Sequence, residues 1–231
     1  NEIGVMNDIF SIGEICLERG ICFLTDAAQS FGKLSIDVEP MNIHLLAASG
    51  HKIYGPTGVG VLYGKVELLE QMKPLIGGGE MIEQVSEKGF TLNKLPWRFE
   101  AGTPAIVQVI GLRSAIEYIQ NLGIDKLSIY ENNLINYAQE KLLKIDDLEL
   151  YSPRTKKGTA LAFNISDIHS YDFTKILDEM GIAIRSGHHC AQPLMKKLGI
   201  LSSSRASFAF YNTLAEVDHF TDSIEKSLKI L

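Results

Sequence analysis

Four consecutive residues, Ser49-Gly50-His51-Lys52, stand just past an apolar run and include a side chain suited to covalent chemistry, the Lys52 amine. A lysine at the end of a buried strand loses part of its hydration, and its amine then serves as a nucleophile for a carbonyl. A surface lysine in a turn explains the same four residues, and taken alone they favour it. Asp26, which stands 26 residues earlier at the end of another apolar run, changes the balance. A carboxylate and an amine on neighbouring strand ends face one crevice, as pyridoxal phosphate requires. The lysine holds its aldehyde, and the carboxylate keeps its pyridine nitrogen protonated so that the ring accepts electrons. Gln29, three residues beyond Asp26, is placed to donate to the cofactor's phenolic oxygen, and Ser49 and His51 to hold its phosphate through a hydroxyl and a ring N–H. Each has a plainer reading: Asp26 as a helix N-cap, Ser49 as a turn former, His51 as a packed core histidine. Separately the plainer readings win; jointly they explain less than the cofactor does.

A second segment, Arg185-Ser186-Gly187-His188-His189-Cys190-Ala191-Gln192-Pro193, sets a cysteine in a glycine-containing loop beside two histidines, after a strand and before a helix. In such a setting a cysteine sulfur serves as a nucleophile. A zinc site built from His188, His189 and Cys190 fails on geometry, because three consecutive residues rarely converge on one tetrahedral ion and no partner pair of cysteines exists. Cys16 and Cys22 sit in apolar patterns and read as small core residues. Arg205, just before an apolar stretch, has the rigid fork that captures a carboxylate, so it is a candidate anchor for an amino-acid substrate. A structural salt bridge explains Arg205 alone at least as well.

The elements that must position these residues read as α/β. Helical spacing over residues 8–19 precedes apolar strands at 21–25, 43–48 and 59–63, and the first two end in the polar groups just named. Carboxyl ends of strands are where open sheets place ligands. Residues 65–104 read as a short helix and a long loop, followed by amphipathic helices at 105–122 and 124–143. Beyond them, strands at 148–151, 159–165, 182–185 and 207–211 alternate with helices at 171–180, 193–198 and 214–231, an α/β or α+β arrangement.

Composition narrows the classes. The 231 residues are 45% hydrophobic and 22% charged, with a mean hydropathy of +0.06, which suits a globular protein and excludes a disordered or collagenous one. No apolar run reaches the roughly 18 uncharged residues of a membrane span. Lys and Arg total 22 against 28 Asp and Glu, a net charge of −6, and they are scattered, so nothing marks a nucleic-acid surface. Three irregularly spaced cysteines make no disulfide framework, and nothing resembles a signal peptide, which leads to the expectation of a reducing, cytoplasmic compartment.

The chain resembles the pyridoxal-phosphate-dependent cysteine desulfurases, and within them the SUF-type group that includes selenocysteine lyase-like proteins. The resemblance rests on Asn1-Glu2-Ile3-Gly4, Asp26-Ala27-Ala28-Gln29-Ser30, Ser49 through Gly58, Gly77-Gly78-Gly79-Glu80-Met81-Ile82, Phe99 through Pro104, Arg185 through Pro193, Arg205-Ala206-Ser207 and Tyr211-Asn212-Thr213. These segments occur in family order over essentially the whole chain. The resemblance implies a fold-type I transferase of the aminotransferase class V kind. Residues 1–122 would be the C-terminal part of a cofactor-binding large domain with a mainly parallel sheet, and residues 123–231 a small α/β or α+β domain. By position, it implies that Lys52 is the Schiff-base lysine, Asp26 the pyridine-nitrogen partner, Gln29 the phenolic-oxygen partner, and Ser49 with His51 the phosphate ligands. Cys190 would be the nucleophile that takes sulfur, with His51 also counted as catalytic. Arg205 would anchor the substrate carboxylate, with Arg185 and Asn1 beside it and Asn1 also near the phenolic oxygen. Gly102 and Thr103 would reach the phosphate of a neighbouring subunit, which implies a homodimer.

The implied activity removes sulfur from L-cysteine, giving L-alanine and a persulfide on Cys190 that passes to a SUF-type acceptor protein for iron–sulfur cluster assembly. The short span from Arg185 to Cys190 is similar to the SUF-type group rather than to the group with a longer cysteine loop. Selenocysteine lyase, acting on L-selenocysteine, shares the same site. An alternative of another class is a truncated, non-catalytic fragment that only associates with a partner desulfurase, against which Lys52, Asp26 and Cys190 are all present. Family members also carry a portion ahead of Asn1, with a Gly- and Thr-containing phosphate turn and a histidine that stacks on the ring. A first residue other than Met therefore reads as a cut into a longer protein, with apolar sheet faces left to be covered.

Overall fold

A carboxylate cap begins the first ordered element: Asp8 accepts the Ser11 N–H at 3.2 Å and opens helix α1, Ile9–Glu18. The computed structural model describes residues 2–153 and 158–229. These fall into two units, one of Asp8–Asp125 and one of the described residues of Asn1–Asn7 and Lys126–Leu231.

In the first unit, β1 (Leu24–Asp26) pairs in parallel with β2 (Leu45–Ser49), and β2 pairs antiparallel with β3 (Gly60–Gly64). The strands are shorter than the apolar runs that announce them, because residues such as Ile21 and Cys22 make no ladder pairs. Ala27, Ile43 and Leu46 form the core cluster beneath the sheet, with Ile9, Phe23, Phe31 and Val38 packed against it. Helix α2 is Val66–Gln71. The segment expected as a long loop contains a hairpin of β4 (Ile82–Ser86) and β5 (Gly89–Leu92). Ser86 closes its turn by donating from Oγ to Gly89 O at 3.2 Å, so a side chain does the work that an Asn-Gly pair would have signalled in the sequence. Helix α3 (Ile106–Leu122) stops at Gly123, whose φ is 90°.

In the second unit, α4 (Ile124–Leu142) leads into a four-stranded sheet of order β6-β7-β9-β8, antiparallel at every pairing. The strands are β6 (Leu148–Leu150), β7 (Ala160–Ile165), β8 (Arg185–Gly187) and β9 (Ser203–Ser207). Helices α5 (Ser170–Glu179), α6 (Gln192–Leu198) and α7 (Leu214–Ser227) complete it, an α+β layout. The strand expected at 207–211 lies instead at Ser203–Ser207, and the one expected at 182–185 at Arg185–Gly187, because ladder pairing between them selects that register over the apolar stretches. Residues 2–7 belong with this unit rather than with the domain expected to begin at residue 1. Gly4 explains why: its carbonyl accepts the Gly158 N–H at 2.8 Å, its φ is +73°, and a Cβ there would stand 2.2 Å from Ala160 O.

Candidate functional site

Asp26 ends β1 and Ser49 ends β2, and since these strands run parallel both residues lie at one carboxyl edge of the sheet, the edge at which such sheets bind ligands. The chain then turns at once, and Gly50–Ile53 forms a 3-10 turn carrying His51 and Lys52. A side chain at Gly50 would put its Cβ 2.8 Å from Val59 O, the oxygen that accepts the Gly50 N–H at 2.9 Å. Ile53, 1% exposed, anchors the turn, while Lys52 is half-buried and His51 exposed. Ser49 Oγ and His51 Nδ1 share a hydrogen bond of 2.9 Å. Asp26 takes the Ala28 N–H on Oδ1 at 2.9 Å, which orients the carboxylate and leaves the other oxygen for a ring N–H. Gln29 is exposed in the turn that follows. Amine, carboxylate, hydroxyl and imidazole at one sheet edge are the donor set that pyridoxal phosphate needs for its aldehyde, ring nitrogen and phosphate, so these residues fit it. Gly102 and Thr103 lie on the approach to α3, where Gly102, at φ +80°, donates its N–H to Gly79 O at 2.9 Å and Thr103 is exposed.

In the second unit Arg185 on β8 stands directly opposite Arg205 on β9. Opposed residues share one face of a sheet, and like charges so placed repel. Burial first, and then the charge of Arg185, hold Arg205 below the ordinary arginine value, although a guanidinium remains a cation. Its Nε is buried with no hydrogen-bond partner among the described residues. An anion relieves such a pair, and a carboxylate matches the fork. Arg185 Nη2 lies 3.8 Å from Cys190 Sγ, and Cys190 is exposed. Cys190 and His189 are the central residues of a turn closed by the Ala191 N–H donating to His188 O at 2.9 Å. His189, 3% exposed, faces β9, with Nε2 at 2.9 Å from Ser203 O and 3.1 Å from Ser203 Oγ. Burial, then the charge of Arg205, push the His189 imidazole below its ordinary value, so the ring is neutral at neutral pH. The charge of Glu2 opposes both shifts, which places this acidic residue in the field of the cluster.

The structure thus brings Asp26, Ser49, His51 and Lys52 to one sheet edge, and Arg185, Cys190 and Arg205 to one strand pair. Asn1, expected near the substrate carboxylate, lies outside the described residues. His189 turns inward while His188 and Cys190 are exposed, so these three consecutive side chains diverge. Sequence reasoning gave no task to His189, Ser203 or Glu2. His189 and Ser203 are 14 residues apart and meet through the packing of a loop on a strand, which no spacing rule announces.

The aminotransferase class-V family matches residues 1–220. The chain is 43% identical over 227 residues to a probable cysteine desulfurase of Halalkalibacterium halodurans, covering 98% of this chain and 56% of that relative. It is 44% identical over 232 residues to a cysteine desulfurase of Klebsiella pneumoniae, covering 100% of this chain and 57% of that relative. Among solved structures, the apo cysteine desulfurase from Thermococcus onnurineus NA1 superposes with a TM-score of 0.96 at 41% identity, covering 100% of this chain and 58% of that one. The chain spans a little over half the length of the curated relatives it matches.

Proposed function

The chain belongs to the aminotransferase class-V family, and from that premise we propose that the protein is a pyridoxal-phosphate-dependent cysteine desulfurase that takes sulfur from L-cysteine and releases L-alanine. The observation that carries this reading is an exposed cysteine sulfur 3.8 Å from Arg185, on the strand pair that sets Arg185 opposite Arg205. A sulfur acceptor stands beside a receptor for a carboxylate.

The bound cofactor supplies an electron sink for the substrate's α-carbon. Lys52 would hold the aldehyde of the resting cofactor, and once released by the incoming substrate its amine would be the base for the α-proton. Asp26 keeps a proton on the ring nitrogen, Gln29 donates to the phenolic oxygen, and the Ser49–His51 pair takes the phosphate. Arg205, helped by Arg185, orients the substrate carboxylate through paired N–H donors. Cys190 Sγ attacks the substrate sulfur: an S–S bond forms as the C–S bond breaks, the electron pair stays with the substrate, and carbon takes up a proton to leave as alanine. The persulfide on Cys190 passes to an acceptor protein of the SUF type and so to iron–sulfur cluster assembly, a reading supported by the five-residue step from Arg185 to Cys190. Gly102 and Thr103 serve the phosphate of a second copy, so the working unit is a homodimer. A free nucleophilic cysteine implies reducing surroundings, hence the cytoplasm.

Two variants test the reading. Lys52→Ala abolishes the visible absorbance of bound cofactor, whereas Cys190→Ala keeps the absorbance and forms no persulfide by intact mass. Sulfide released from cysteine by Cys190→Ala at the parental rate would falsify the assignment of the nucleophile.

A further inference from the structure

His189 is the residue of the cysteine turn that the chemistry above leaves without a task. Its flanking residues are exposed, yet it is 3% exposed itself. Both central residues of the turn have positive φ, 52° at His189 and 63° at Cys190. Turns with two left-handed residues favour Asn-Gly, and a side chain with a Cβ is disfavoured there, so the backbone needs a restraint from elsewhere. The His189 ring is placed to be that restraint. Its Nε2 meets the Ser203 carbonyl oxygen at 2.9 Å and the Ser203 hydroxyl at 3.1 Å. A carbonyl oxygen only accepts, so Nε2 carries the hydrogen. Ser203 is itself 0% exposed and pairs across the ladder with Gly187, so the anchor belongs to the sheet and not to the loop. The other ring nitrogen, Nδ1, is buried without a hydrogen-bond partner among the described residues, which leaves the Nε2 contact as the ring's polar tie. The ring feels the charges of Arg205 from β9, Arg185 from β8 and Glu2 from residues 2–7; burial and the two arginines hold it below its ordinary value, against the Ser203 carbonyl first and Glu2 second, which favour the charged form.

We propose that His189 is a positioning residue: its Nε2–H, held by Ser203, fixes the left-handed turn and so sets Cys190 Sγ beside the Arg185 guanidinium. The proposal rests on Cys190 being the nucleophile of the desulfurase reading, and adds the group that aims it.

The test uses the full-length, cofactor-loaded protein. His189→Leu removes the donor while keeping the bulk, and His189→Gln restores an N–H at the reach of Nε2. In His189→Leu the kcat for persulfide formation falls about tenfold or more, since a misplacement of about 1 Å can cost on the order of 100-fold. KM for cysteine and the cofactor absorbance stay at parental values, and His189→Gln recovers most of the rate. No loss in His189→Leu, or an equal loss in both variants, overturns the proposal. A second measurement needs no variant: the ring ¹⁵N shifts of His189 in the native protein report the Nε2–H tautomer at neutral pH. A ring protonated on Nδ1 overturns the proposal even if Cys190 is the nucleophile. Failure of the nucleophile assignment shows separately, as sulfide release by Cys190→Ala at the parental rate, and failure of the desulfurase reading as no alanine formed from cysteine by the parent protein.

Discussion

Among the described residues, the unit that carries Lys52 gathers three buried residues, Ala27, Ile43 and Leu46, into its core cluster, whereas the unit that carries Cys190 gathers fifteen into one. In the larger cluster Phe163 meets Phe173 and Phe220 edge to face, each with ring centroids 6.1 Å apart, a geometry that adds to the burial of area. In the Lys52 unit, apolar residues are spread over faces: Phe10 and Leu17 of α1 are 49% and 62% exposed, and Val107 and Ile110 of α3 are 77% and 61% exposed. The two groups of functional residues are accordingly held by different means. Asp26 and Lys52 are set by backbone, through bonds such as Ala27 N–H to Ala47 O at 2.8 Å and Gly50 N–H to Val59 O at 2.9 Å. Cys190 is set by side chains on a sheet whose far face is packed. Hydrogen-bonded strand ends place the first group; a strained turn needs a rigid floor.

This contrast breaks most readily at Phe163. Phe163→Ala empties the centre of the large cluster, where the ring is 0% exposed, and costs about 3–5 kcal/mol in urea unfolding. Ile43→Ala, at a residue equally buried, costs nearer 2 kcal/mol by an order-of-magnitude estimate, because a thin cluster collapses into the space. Equal costs would mean that the difference in packing has no energetic weight. A helix cap in the Cys190 unit should matter less than either core. Thr213 Oγ1 accepts the Glu216 N–H at 3.2 Å while the Glu216 carboxylate accepts the Thr213 N–H at 2.6 Å. Thr213→Ala therefore costs about 1 kcal/mol by the same unfolding measurement, and a loss as large as that of Phe163→Ala would shift the weight from core to cap.

The smallest effect is a pH dependence. Asp218 is held below its ordinary value of 3.8, first by Lys141 and then by the Tyr137 hydroxyl, which donates to Oδ1 at 2.6 Å. A carboxylate depressed in the folded state binds fewer protons there than when unfolded, so its contribution is full above the ordinary value and fades as pH falls through the folded one. The stability gap between the parent and Asp218→Asn is thus constant near neutrality and closes on acidification below about 3.8. A gap that persists in strong acid would show that the side chain acts through shape and not through charge.

Asp26 and Lys52 are legible in the sequence because a short apolar run that stops on polar residues is the end of a buried strand, and that end is where side chains leave the sheet. Strand β9 is not legible in this way. Ser203 and Ser204 are 0% and 1% exposed, and a strand of buried serines has no hydrophobic period to read. The apolar stretch that imitates a strand, Phe208 and Ala209, is buried in a bend that Asn212 Oδ1 holds by accepting the Ala209 N–H at 3.0 Å. Residue type names Arg205 as a carboxylate anchor and the family resemblance sets Arg185 beside it, whereas their direct opposition across the ladder follows from that shifted register.

The bond from Gly158 N–H to Gly4 O bears on how the protein is made. Its two ends leave the ribosome roughly 150 residues apart, and at about 5–20 residues per second that is a wait of roughly 8–30 s. For that interval this bond stays unmade, and the whole of Asp8–Asp125 emerges between two pieces of one unit. Translation pace is therefore a variable in assembling the cysteine-bearing unit: every pause before Gly158 delays the bond that ties Gly4 to it.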